Sequence, residues 1–257
     1  MTGGARRLGA AVCLSFSRRG WGVVCHYQTS AEEALELCNQ MHLLNSPAVA
    51  VQASLGDQQD RQSLYLKAAA AAKEAGGTLV CLVNNASTFE ADEGIDFSVA
   101  LMERQLGVNL VAPLHLASLL ATTAAQSEPA QPYCVINILD QKVLNLNKDY
   151  FSYTVSKLAL HSATALQAQA LAPHTRVCAV APGLIYVSGP QAQDNFDQTA
   201  SVNLLKSPTA PKDVADTVVF LAENQSLNGV TLCVDKGQHL VPLERDIMFV
   251  AEQLKVR

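Results

Sequence analysis

Short apolar runs alternate with longer helix-patterned stretches along this chain, and no other feature limits its fold so strongly. The runs are Val23-Val24-Cys25-His26-Tyr27, Ala48-Val49-Ala50-Val51 and residues 79–83, 134–138, 177–180 and 231–234. Each is too short for a helix, and several are continuously apolar, as strands covered on both faces should be. Between them, residues 8–19 end at Gly20, residues 31–44 follow Ser30, and residues 60–75 carry an alanine run before Gly76-Gly77. Ser30 suits an N-cap, and Gly20 suits the position just past a helix end. Helical patterning returns at residues 97–125, 150–171 and 212–223. This alternation predicts an α/β fold, one doubly wound domain over residues 1–257 with a parallel sheet flanked by helices. The longest irregular stretch, residues 182–211, reads as a binding loop over about 184–210.

Composition removes several classes of function. Hydrophobic residues fill 49% of the 257 positions and charged ones 16%, which argues against disorder. Net charge is −5, and the basic pairs Arg6-Arg7 and Arg18-Arg19 are not part of any longer basic run, so a nucleic-acid partner is not expected. No continuous apolar run approaches the ~18 residues of a membrane span, and residues 1–7 do not resemble a signal peptide. The seven cysteines stand singly and the six histidines show no H-x-x-x-H spacing. The expectation is a soluble, cytoplasmic, metal-free protein with reduced thiols.

The chemistry-bearing residues gather at strand ends. Thr2-Gly3-Gly4-Ala5-Arg6-Arg7-Leu8-Gly9 opens the first helix, where glycines admit a ligand and free N–H groups face a phosphate. Alone, this is a weak signal, and a solvated basic pair is the plainer reading of Arg6-Arg7. The second strand end, His26-Tyr27-Gln28-Thr29-Ser30, has no carboxylate before Glu32, which favours NADPH over NADH. Tyr153 and Lys157 lie four apart on a predicted helix and share a face; Tyr150, a turn earlier, is a decoy. A nearby ammonium is expected to lower the Tyr153 pKa towards the working range. Asp140, Asn84-Asn85-Ala86 and Pro182-Gly183 each follow an apolar run, at the carboxyl edge where open α/β sheets bind ligands. Taken singly, Asp140 could equally be a loop-capping carboxylate.

Together these residues resemble the short-chain dehydrogenase/reductase family, and more narrowly its pteridine reductases, from Thr2 to about His239. The resemblance implies a Rossmann-like fold and NADPH as cofactor. It implies cofactor contacts at Gly3, Arg6, Arg7, Leu8, His26, Tyr27, Gln28, Ser30, Ser54, Leu55, Asn85, Ala86, Ser87, Lys157, Pro182, Gly183 and Leu184. A pterin or folate substrate would touch Arg7, Ser87, Phe89, Asp140 and Tyr153, with its ring between Phe89 and the nicotinamide. Asp140, Tyr153, Lys157 and Asn109 would form the catalytic set, with Asp140 replacing the family's serine thirteen residues before Tyr153. Reducing C=N needs a proton on nitrogen, which an aspartic acid beside a tyrosine can pass on. The implied reaction is reduction of a dihydropterin, or dihydrofolate, to its tetrahydro form. A homotetramer through residues 97–125 and 150–171 is implied as well.

The chain also departs from the family pattern. The family begins with a strand before the glycine turn, whereas only Met1 precedes Thr2, so a late start is expected, with two unpaired sheet edges otherwise. Arg7 and Lys236 stand where the family has glycine, and Ser54 where it has aspartate. The alternatives are a carbonyl or 3-oxoacyl reductase of the same family, or an inactive dinucleotide-binding regulatory or scaffold protein.

Overall fold

The computed structural model describes residues 1–127, 133–187 and 191–254. The parallel strands are β1 (Val23–Tyr27), β2 (Ala48–Gln52), β3 (Cys81–Asn84), β4 (Tyr133–Ile138), β5 (Thr175–Pro182) and β6 (Thr231–Val234). β1 pairs with β2, and a separate ladder runs β3-β4-β5-β6, all parallel. β4 and β5 are buried at every position, which accounts for their near-continuous apolar sequence.

Residues 1–4 occupy the space between the two ladders. His26 N–H donates to Met1 O (3.0 Å) and Gly4 N–H to His26 O (2.8 Å), while Thr2 N–H donates to Val83 O (2.9 Å). Below Met1, an apolar cleft of about 560 Å³ separates the remaining edges, lined by Phe16, Trp21, Val23, Val24, Leu79 and Cys81 among others. The unpaired-edge expectation is therefore met only below the level of Met1; above it, residues 1–4 bridge the ladders.

The helices cover both faces. α1 (Arg7–Arg18) buries Gly9, Val12, Cys13 and Phe16 at helical spacing and ends at Gly20, whose φ of 81° fits the expected cap. α2 (Ala31–Leu43) follows Ser30, but the Ser30 side chain makes no capping bond, contrary to expectation. α3 (Gln58–Glu74) is capped by Asp57, which accepts from Asp60 N–H at 2.8 Å. The expected helix over 97–125 is α4 (Val99–Leu106), a π-helical turn (Gly107–Val111) and α5 (Ala112–Ala125) in succession. By length and composition this run could cross a bilayer, but Leu101, Gln105, Asn109, Leu116, Leu120 and Ala124 are buried within the fold.

α6 (Phe151–Ala170) starts from Tyr150 at φ 56°, and its first turn is anchored by Asp92, which accepts from both Ser152 N–H and Ser152 Oγ. α7 (Gln193–Thr199) falls inside the stretch expected to be one irregular loop, of which residues 188–190 lie outside the described residues. α8 (Pro211–Glu223) packs on α1, and α9 (Ile247–Leu254) is an element the sequence reading did not anticipate.

Candidate active site

The carboxyl edge of the strands opens into a cleft of about 620 Å³, within the usual range for a small-molecule site. One wall is the glycine turn. Gly3 has φ 57°, a conformation glycine adopts without a Cβ penalty. A Cβ on Gly9 would lie 2.0 Å from Gly3 O, so only glycine lets α1 pack this closely on the turn. Asn85 fixes the turn from β3, its side-chain amide donating to Thr2 O (3.1 Å) and Gly3 O (2.9 Å).

From β1, His26 braces the same turn: Nδ1 accepts from Gly3 N–H at 3.0 Å, and Nε2 lies 3.2 Å from Ala53 O. Burial pushes the His26 pKa down to about 4, so the ring is neutral at pH 7. His26 lines the cleft as expected, but both ring nitrogens are committed within the fold, so its ring is not free to bind a phosphate. Arg6, Tyr27, Gln28, Thr29 and Ser30 line the adjoining part of the cleft, with Arg6 ion-paired to Glu33 at 3.3 Å. Leu8 and Leu55 line it too, but Ser54 does not; its N–H donates to Asp60 instead.

At the other end, Tyr153 OH donates to Asp140 Oδ2 at 2.9 Å, and Asp140 Oδ1 accepts from Lys142 N–H at 2.9 Å. Burial raises the Asp140 carboxyl above the usual carboxylate range, against the opposing Lys142 N–H bond. Burial, and then the facing Asp140, push the Tyr153 phenol well above its ordinary value. The expected lowering of Tyr153 by Lys157 is thereby corrected: dehydration and a neighbouring carboxylate outweigh one ammonium 5.7 Å from the ring centre. Lys157 Nζ donates to Ile138 O at 2.8 Å, and burial brings its pKa down to about 8.

Asn109 lies on the π-helical turn, a deformation that often marks functional positions. It does not line the cleft. Its Oδ1 accepts from Thr88 N–H (2.9 Å) and Ser87 Oγ (3.1 Å), and its Nδ2 donates to Thr88 O and Ser156 Oγ (both 3.0 Å). Asn109 thus ties α6 to the strand end bearing Ser87 and Phe89. Phe89 stacks on Tyr150 with centroids 4.1 Å apart and meets Tyr153 edge-on at 4.7 Å. One face of Phe89 is therefore taken by Tyr150, whose hydroxyl turns to Met248 Sδ and not to Asp140, as expected of a decoy for Tyr153.

Asn85, Ala86, Ser87, Pro182, Gly183 and Leu184 line the cleft as expected. Arg7, with φ 54°, holds the loop that follows: its guanidinium donates to Val187 O (2.6 Å) and lies 5.1 Å over the Tyr186 ring. The sequence reading missed Tyr186, Gln141, Lys142, Gln238, Asp246 and Ile247, all of which line the cleft. Gln141 and Lys142 directly follow Asp140 and were within reach, whereas Asp246 arrives from over a hundred residues away and carried no local signal.

The family model described as "Enoyl-(Acyl carrier protein) reductase" matches residues 3–239. The solved structure of FolM alternative dihydrofolate reductase 1 from Brucella canis, complexed with NADP, is similar at TM-score 0.86 and 36% identity, covering 96% of this chain and 95% of that one. Dihydromonapterin reductase of Klebsiella pneumoniae is 26% identical, covering 93% of this chain and 95% of its own length. Pteridine reductase 1 of Leishmania tarentolae is 28% identical over the same shares.

Proposed function

Because the chain belongs to the short-chain dehydrogenase/reductase family, we propose that it is an NADPH-dependent reductase of a dihydropterin, or of dihydrofolate, yielding the tetrahydro form. The observation that carries this reading is the Tyr153–Asp140 hydrogen bond of 2.9 Å beside the aromatic wall of Phe89. Both reductions consume a proton, but a carbonyl oxygen can take it from Tyr153 with a neutral hydroxyl steadying it, whereas the carboxyl of Asp140 beside Tyr153 suits protonation of a C=N nitrogen.

The residues present fit the dinucleotide. The Gly3–Gly9 packing leaves backbone room for a pyrophosphate at the start of α1, and Ser30, Gln28 and Arg6 border the place for a 2′-phosphate. Bound there, NADPH supplies the hydride. Asp140 and Tyr153 hold the proton that goes to the substrate nitrogen, and the pair is recharged from solvent. Lys157 and Ile138 O steady the base of the site. Phe89, backed by Tyr150, offers its remaining face to a flat ring, and Arg7 keeps the Tyr186–Val187 segment beside it. A homotetramer belongs to the same reading, supported by exposed Val99, Val111 and Leu166 on the outer helices.

The test is NADPH oxidation with a dihydropterin, with dihydrofolate and with a simple ketone. Turnover with a pteridine substrate, lost in Asp140→Ala, is expected; turnover with the ketone alone would overturn the reading.

A further inference from the structure

Lys142 is almost fully buried, and its ammonium is spoken for. Nζ donates to Asn147 Oδ1 (2.6 Å) and to Asp246 Oδ2 (3.0 Å), and lies 5.8 Å from the Tyr150 ring centre. Its own N–H is the one that Asp140 Oδ1 accepts. Asp246 is buried too, though less deeply than Lys142, and stands at the start of α9, where Oδ1 accepts from Met248 N–H at 3.3 Å. Its N–H donates to Asp149 Oδ2 at 2.6 Å, and the neighbouring Arg245 pairs with Asp149 at 2.9 Å. α9 in turn touches the aromatic wall, since Tyr150 OH donates to Met248 Sδ at 3.1 Å. Lys142, Asp246 and Ile247 all face the cleft.

We propose that Lys142 and Asp246 are positioning residues whose buried ion pair clamps the C-terminal segment onto the Asp140 loop and keeps Asp140 and Tyr153 together as the proton-donating pair. The proposal rests on the functional reading above. A buried ion pair is by itself weak evidence for stability, so its significance here lies in what it positions. That role follows from its place. The groups facing Asp140 are Tyr153 and Lys157 from α6, Lys142 from its own turn and Asp246 from the segment before α9. Asp149 and Arg245 pair with each other and hold the Asp246 N–H without lining the cleft. Lys142 favours the Asp140 carboxylate, whereas Asp246 disfavours it and also disfavours the Tyr153 phenolate. The two members of the clamp therefore act on the proton in opposite senses.

The experiment compares Lys142→Met, Asp246→Asn and Lys142→Arg with the wild-type chain. Readouts are the pH profile of kcat, NADPH affinity by fluorescence, and amide exchange over residues 247–254. Reduction consumes a proton, so kcat falls as pH rises through the donor pair. Lys142→Met is expected to move that limb to higher pH and Asp246→Asn to lower pH, each by about half a unit or more. Lys142→Arg should restore the wild-type profile. Amides of 247–254 should exchange faster in both pair-breaking variants, with NADPH affinity unchanged. Displacement of both limbs in one direction, unmoved limbs, or unchanged exchange would overturn the clamp. If wild-type protein reduces the ketone but no pterin, the functional reading fails, and the same comparison on ketone turnover decides the clamp. If neither substrate turns over, amide exchange alone decides it.

Discussion

Tyr153 donates its hydroxyl proton to Asp140 Oδ2 across 2.9 Å, in surroundings that raise the pKa of both groups, burial being the leading cause for each. The pair keeps an acidic proton to a higher pH than an exposed carboxylate could. Dihydropterin reduction should accordingly be fastest at acid to neutral pH and decline as pH rises through the pair's titration. Asp140→Ala should lower kcat by about 10²–10⁴ and abolish that limb. Steady-state kinetics across pH checks both, and a rate that climbs with pH would contradict the donor role.

His26 sets an acid limit on the fold. Burial lowers its pKa from 6.5 to about 4, and the neutral ring accepts from Gly3 N–H. Between those values the unfolded chain binds more protons than the folded one, so stability rises with pH. The contribution is complete above pH ~6.5 and lost as pH falls towards ~4, a difference of roughly 3 kcal/mol. Urea unfolding at pH 7 and pH 4.5 should show this loss, and His26→Gln should flatten it.

Arg7 holds a left-handed backbone at φ 54° while gripping Val187 O and the Tyr186 ring. Arg7→Gly should relieve the backbone yet release the loop. We expect stability to rise by about 0.5–1 kcal/mol while KM for the pteridine substrate increases about tenfold. Thermal unfolding and substrate titration separate the two effects; a lower KM would contradict the loop assignment.

Lys236 repeats the strain without a site to serve, at φ 53°, with Nζ on Ser207 Oγ at 2.8 Å. Lys236→Gly should stabilise the protein by about 0.5–1 kcal/mol. Lys236→Ala loses the same side-chain bond without freeing the backbone, so it should not. Equal melting temperatures for the two variants would refute the backbone argument.

Much of the fold could be read locally. Strands such as β5 announce themselves through continuous apolar residues, because a strand covered on both faces has no solvent side to mark. The positive φ of Arg7 and Lys236 was likewise foreshadowed by their standing where the family has glycine. Ser30 was misread as a capping side chain because its residue type permits the bond without requiring it. The 97–125 helix was legible as a helix, but its π turn was not, since that deformation serves Asn109's contacts with Thr88 and Ser156 on distant segments.

By itself the sequence determined the α/β alternation, the glycine turn and the residue types that converge at the strand ends. Those follow from period, backbone permissiveness and side-chain chemistry, all properties of short segments. Only the tertiary structure decided protonation and partnership. His26 became a neutral brace, Tyr153 a phenol held by Asp140, and Lys142 the counterion of Asp246. Burial and the nearest charge set each of these states, and both depend on which distant segments meet in space.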